Sequence, residues 1–84
     1  MEENGPSTSS GTFAVYPNPT NNMLNIDAGN TEFTYVLFNS MGQAVVKGDA
    51  HGDVQVNVER LAKGVYFLHI KSNQQMRVEK IVVE

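Results

Sequence analysis

Asp53-Val54-Gln55-Val56-Asn57-Val58 alternates without a break, with three valines on one side and Asp53, Gln55 and Asn57 on the other. Successive side chains of a β-strand point to opposite faces, so the hexapeptide predicts a strand with one face on a core and one in water. The same pattern extends in both directions. Downstream, Glu59 to Lys63 leads to Gly64, Val65 to Lys71 forms a strand, Ser72-Asn73-Gln74 turns, and Gln75 to Val83 forms the last strand. Upstream, Gly48 to Gly52 reads as a polar loop and Ala44 to Lys47 as a strand. Asn39 to Gln43 is a hairpin turn in which Gly42 is free to take positive φ. Before it, Glu32 to Asn39 carries Phe33, Tyr35 and Leu37 on one face and Val36 and Phe38 on the other, the mark of a central strand. Ala28 to Thr31 reads as a turn, Met23 to Asp27 as a strand with Leu24 and Ile26 inward, and Thr12 to Tyr16 as the first strand, stopped by Pro17-Asn18-Pro19. No window has helical period. The expectation is an all-β antiparallel β-sandwich of about seven strands, with a small barrel as the competing closure.

Composition agrees. Valine occurs 11 times against 4 Leu and 5 Ala, which favours strands. At 84 residues the chain is one domain with a thin core. Met1 to Gly11, with Gly5-Pro6-Ser7-Thr8-Ser9-Ser10-Gly11, reads as a flexible linker or cloning remnant leading into a domain at residues 12–84, which suggests attachment behind a larger protein. The net charge of −3 argues against a nucleic-acid partner, which would need a basic patch. No apolar run reaches the ~20 residues of a membrane span, and the acidic, polar start shows no signal peptide. The absence of Cys removes disulfides, thiolate metal sites and thiol nucleophiles.

The side chains offer little chemistry. His51 lies in a Gly-rich loop and His69 in a strand, and no nucleophile–base–orienter motif surrounds either. Two distant histidines do not make a zinc site. Asp27, Asp49 and Asp53 border loops but form no calcium-loop pattern, and solvated turn carboxylates account for them. The expectation is a non-enzyme with no cofactor, no metal and no small-molecule substrate, acting as a monomer.

Four pieces in register carry a resemblance. Val15-Tyr16-Pro17-Asn18-Pro19-Thr20 with Leu24-Asn25-Ile26, the hairpin from Tyr35 to Val45 with Gly42-Gln43 at its turn, Leu61-Ala62-Lys63-Gly64-Val65-Tyr66-Phe67-Leu68, and Lys80-Ile81-Val82-Val83-Glu84 together resemble the C-terminal sorting domain, type A, of cargo for the type IX (Por) secretion system of Bacteroidetes. The resemblance implies an Ig-like seven-stranded sandwich and a role as an address label. A translocon and its shuttle proteins would read the label after the cargo reaches the periplasm. A sortase-like cysteine peptidase would then remove it, with the cargo at the cell surface or extracellular.

Carried over by position, the recognition residues are Gly64, Tyr66, Lys80, Ile81, Val82 and Val83, with Tyr66 expected to fill the core rather than touch a partner. Glu79 and Glu84 stand where such tails often carry Lys or Arg. The cleavage region falls on Ser7, Thr8, Ser9, Ser10, Gly11 and Thr12, small residues expected to be mobile. The terminal strand is expected to be an open edge that a partner could extend, with Ile81 to Glu84 removable at a cost on the order of 1–2 kcal/mol. The rival reading is a non-catalytic Ig-like or fibronectin-like accessory module for adhesion or carbohydrate binding.

Overall fold

The computed structural model describes residues 13–73 and 75–84. These residues hold five strands and no helix: β1 (Ala14–Tyr16), β2 (Met23–Asn39), β3 (Ala44–Asn57), β4 (Gly64–Lys71) and β5 (Met76–Val83). All pair antiparallel in a single sheet. The all-β antiparallel expectation holds. The seven-stranded sandwich does not, because the seven predicted segments merge into five strands of one curled half-barrel.

The merger has a physical cause. Ala28 to Thr31 and Gly48 to Gly52, expected as loops, lie inside β2 and β3, and the two strands pair on both sides of the bend. Asp27 faces Asp53 and Glu32 faces His51, so five steps along β2 oppose two along β3. Such a bulge bends a sheet without ending it. Gly29 and Gly52 supply the bend, with φ of 65° and 87°. A Cβ on Gly52 would lie 3.2 Å from the Gly29 carbonyl oxygen, so the two bent backbones meet closely at the corner. Ala28 to Thr31 turns the chain as a corner inside β2, whereas Gly48 to Gly52 is strand rather than the expected loop, with residues 48–51 paired to β2.

The corner divides the sheet. Its lower half joins β1, residues 23–27 of β2 and residues 53–57 of β3. Its upper half joins residues 44–51 of β3, residues 32–39 of β2, β4 and β5. The halves fold over one hydrophobic core. Leu24, Ile26, Val56 and Val58 come from the lower half and the stretch beyond it, and Phe33, Leu37, Tyr66, Leu68, Ile70, Ile81 and Val83 from the upper. Phe13 joins them edge-on to Phe33, ring centroids 6.0 Å apart. The inward faces read from the sequence, Leu24 with Ile26 and Val54, Val56 and Val58, are the inward faces of the fold.

Candidate functional site

The end of β5 is where the resemblance concentrates, and its side chains follow the strand period. Ile81 and Val83 are 0% and 3% exposed and point into the core, while Val82 between them is half-buried on the outer side. Tyr66, directly opposite Ile81, is 6% exposed, and its hydroxyl donates to the Ala62 carbonyl at 2.6 Å. That bond satisfies the one polar group a buried tyrosine carries. Gly64, opposite Val83, has φ of 150° and open space around it. A Cβ there would meet no neighbour, so the glycine answers to backbone conformation rather than to crowding.

The outer side of this strand end is already occupied. The Asn18 side chain lies along it, with Nδ2 donating to the Lys80 carbonyl at 2.7 Å and Oδ1 accepting from the Val82 N–H at 3.1 Å. Thr20 continues the pairing: its N–H donates to the Val82 carbonyl at 2.9 Å and its carbonyl accepts from the Glu84 N–H at 2.8 Å. Thr20 and Val83 form a parallel bridge. The Thr20 hydroxyl, 4% exposed as a residue, donates to the Met23 carbonyl at 2.9 Å. The expectation of an open edge at residues 80–84 is therefore corrected. Removal of Ile81 to Glu84 would also take two core side chains, Ile81 and Val83, so a cost above about 1–2 kcal/mol is expected.

Asn18 and Thr20 are the residues that sequence reasoning passed over. Their signal was present. Pro17 and Pro19 remove two backbone donors. The Asn between them offers a side-chain donor and acceptor in the geometry of a peptide group. The opening and terminal motifs thus form one interlocked structure 62 to 64 residues apart in sequence.

The second motif is equally structural. Asn39 Oδ1 accepts from the Met41 and Gln43 N–H groups, both at 2.9 Å, and organises the hairpin turn. Asn39 itself faces Tyr66 in the next strand.

The remaining candidates are scattered. His69 is half-buried on the outer side, its ring edge-on to Phe38 at 4.7 Å. His51 is exposed opposite Glu32. Asp27 and Asp53 face each other at the corner, where Asp27 Oδ1 accepts from the Gly29 N–H at 3.0 Å, and Asp49 lies farther along β3 opposite Thr34. Among the described residues no three His, Cys, Asp or Glu converge as a metal-binding group. Ser7 to Thr12, the expected cleavage region, lies outside the described residues, as does the linker before it.

Comparison with known proteins gives one family. No curated protein matches the sequence. A family model described as the secretion system C-terminal sorting domain matches residues 14–84, from the first residue of β1 through the interlocked strand end. The chain belongs to this family, the C-terminal sorting domains that mark proteins for type IX secretion.

Proposed function

We propose that the domain acts as a folded address label of type A, read in the periplasm by shuttle and translocon proteins of the type IX system, and removed at the cell surface by a sortase-like cysteine peptidase. The observation that carries the reading is the interlock of the opening and terminal family motifs through Asn18 and Thr20. A label whose two ends depend on each other exists only once the domain is folded. Readout of the folded state would let the machinery reject incomplete or misfolded cargo. An adhesion or sugar-binding module gives no reason for this pairing of motifs.

Within that reading, the six candidate recognition residues divide by burial. Tyr66, Ile81 and Val83 act by holding the label together, since a partner cannot touch them while the domain is folded. Gly64, Lys80 and Val82 are accessible to a partner. Cleavage is assigned between Gly5 and Phe13, within the small residues Ser7 to Thr12, leaving the cargo anchored at the surface or released outside the cell.

The test is a reporter with a periplasmic signal fused ahead of residues 12–84, expressed in hosts with and without the type IX translocon. Export should require the translocon, and mass spectrometry should place the mature C-terminus before Phe13. Equal reporter in the medium of both strains would overturn the sorting role. A cut beyond Tyr16 would overturn the assignment of the cleavage region.

A further inference from the structure

The outer face of the upper half is apolar where a solvent-facing sheet surface would be polar. Its register is explicit. Phe38 stands opposite Phe67, and Phe67 opposite Lys80. Val36 stands opposite His69, and His69 opposite Val78, while Val65 stands opposite Val82. Their strand neighbours Leu37, Leu68, Ile70 and Ile81 are buried in the core, so these residues point away from it. Val78 is 53% exposed, and Val65 and Phe67 are each 37% exposed. Phe38, Phe67 and His69 border an open depression of about 290 Å³ beside the Asn39–Gln43 hairpin turn. Contiguous exposed apolar patches of this kind mark interaction sites on soluble domains.

Lysines stand around the patch. Lys47 lies opposite Val36, Lys71 opposite Thr34 and Met76, and Lys80 opposite Phe67. Three of the chain's six Lys and Arg residues thus rim one face of a protein whose net charge is −3. Glu32 and Asp49 are the carboxylates at its margin on the corner side, where both border one depression with Lys71. We infer that this face docks a protein of the export machinery whose own surface has an apolar centre and an acidic rim. The inference rests on the sorting role and supplies the surface through which the label is read.

Two other occupants fit less well. Face-to-face pairing with a second copy would bring lysine rims together. Insertion into an anionic membrane normally uses protruding aromatic and aliphatic side chains with about four to eight cations, whereas this face carries three lysines and its Val36, Phe38 and Val82 are half-buried. A flat apolar centre with a sparse charged rim has the anatomy of a protein interface.

The test uses the reporter fusion and the purified domain. Phe67→Thr with Val78→Thr removes the apolar centre, and Lys47→Glu with Lys80→Glu inverts the rim. Gln55→Thr, on the outer face of the lower half, is the control. Both double variants should lose at least tenfold of the translocon-dependent export while the control keeps it. Melting curves establish that each variant folds. If the apolar variant does not fold, the charge variant decides, because its side chains are exposed. A photoreactive residue at position 78 should cross-link to an export-machinery protein, and one at position 55 should not. Folded double variants that are exported at the wild-type level would overturn the inference and leave the sorting role standing. Loss of translocon dependence in the wild type would instead remove the sorting role itself. Binding of the purified domain to anionic phospholipid vesicles, or a dimer abolished by the apolar variant, would assign the face to those occupants and overturn the choice of a machinery protein.

Discussion

One strand, β2, builds two outer surfaces of opposite character. Below the Gly29 corner its outward residues are Met23, Asn25 and Asp27, matched across β3 by Asn57, Gln55 and Asp53. Above the corner its outward residues include Val36 and Phe38, matched across β4 by His69 and Phe67. The lower surface follows the ordinary rule for a sheet with one wet face, and the upper surface breaks it. Because the strand, the sheet and the core are shared, fold stability does not require the difference. The inner residues of both halves already close the core. A surface that folding does not require is where a functional requirement shows itself. The same contrast separates the family's motif residues, most of which hold the fold together, from the outer residues beside them, which do not.

The sharpest way to break this contrast is to remove Ile81 to Glu84. The deletion takes two buried side chains and the partners of Thr20 and Asn18. Truncating a single buried aliphatic side chain costs about 2–5 kcal/mol. At about 0.05–0.15 kcal/mol per residue, a domain of this size has roughly 4–13 kcal/mol in total. The deletion should show no cooperative thermal transition by circular dichroism. Retention of a transition near the wild-type midpoint would mean that the strand end is peripheral after all.

Next in size is Tyr66→Ala, which should cost about 3–5 kcal/mol for a buried aromatic. Tyr66→Phe keeps the ring and loses only the bond to Ala62, so about 0.5–1.5 kcal/mol is expected. Chemical denaturation of the pair separates the two contributions. Equal losses in both variants would place the stabilisation in the hydroxyl rather than in the ring.

Asn18→Ala comes third. It leaves the Lys80 carbonyl and the Val82 N–H without their side-chain partner on an exposed edge, where water can substitute, so about 1–2 kcal/mol is expected. The same change uncovers backbone groups at the strand end, and unpaired edges invite association. The variant should therefore gain a concentration-dependent light-scattering signal before it melts. A variant as stable and as monodisperse as wild type would show that Thr20 alone closes the edge.

The sequence made the faces legible and the connectivity less so. Period-2 alternation at Val54, Val56 and Val58, and at Leu24 and Ile26, fixes which side chains enter the core, because the period is a local property of each strand. Whether Ala28 to Thr31 ends a strand or bends it depends on whether β3 stays paired through the turn, which is a non-local fact. The positive φ of Gly29 and Gly52 serves a loop or a corner equally well. The family motifs were legible as residues but not as contacts. Asn18 and Lys80 lie 62 residues apart, and no local pattern states that one clamps the other. The apolar outer face was visible only in part. Val36 and Phe38 opposite Leu37 indicated a strand apolar on both sides, and centrality in the sheet explained that pattern without any exposed patch.

The smallest expected effect on stability sharpens the contrast most, because it lies within one residue. The backbone of Lys80 is structural: its carbonyl accepts from Asn18, and its strand pairs with β4 opposite Phe67. Its side chain is on the outer face, exposed, and no ion pair holds it among the described residues. Lys80→Glu keeps the backbone bond and inverts the charge. Exposed substitutions away from caps and buried partners fall within about 0.5 kcal/mol of neutral. The melting midpoint should therefore stay close to wild type, in contrast to Asn18→Ala, which acts on the same carbonyl from the other side. Export should nevertheless fall several-fold, since a rim charge governs encounter with an oppositely charged surface more than it governs folding. Lys80→Arg should restore export, because it keeps the charge. The measurement is the ratio of exported to retained reporter for Lys80→Glu, Lys80→Arg and Asn18→Ala, each beside its melting curve. If Lys80→Glu lowers stability as much as Asn18→Ala, the lysine belongs with the clamp, and the division between fold-holding backbone and outward-facing side chain fails at the residue where it is most exposed to test.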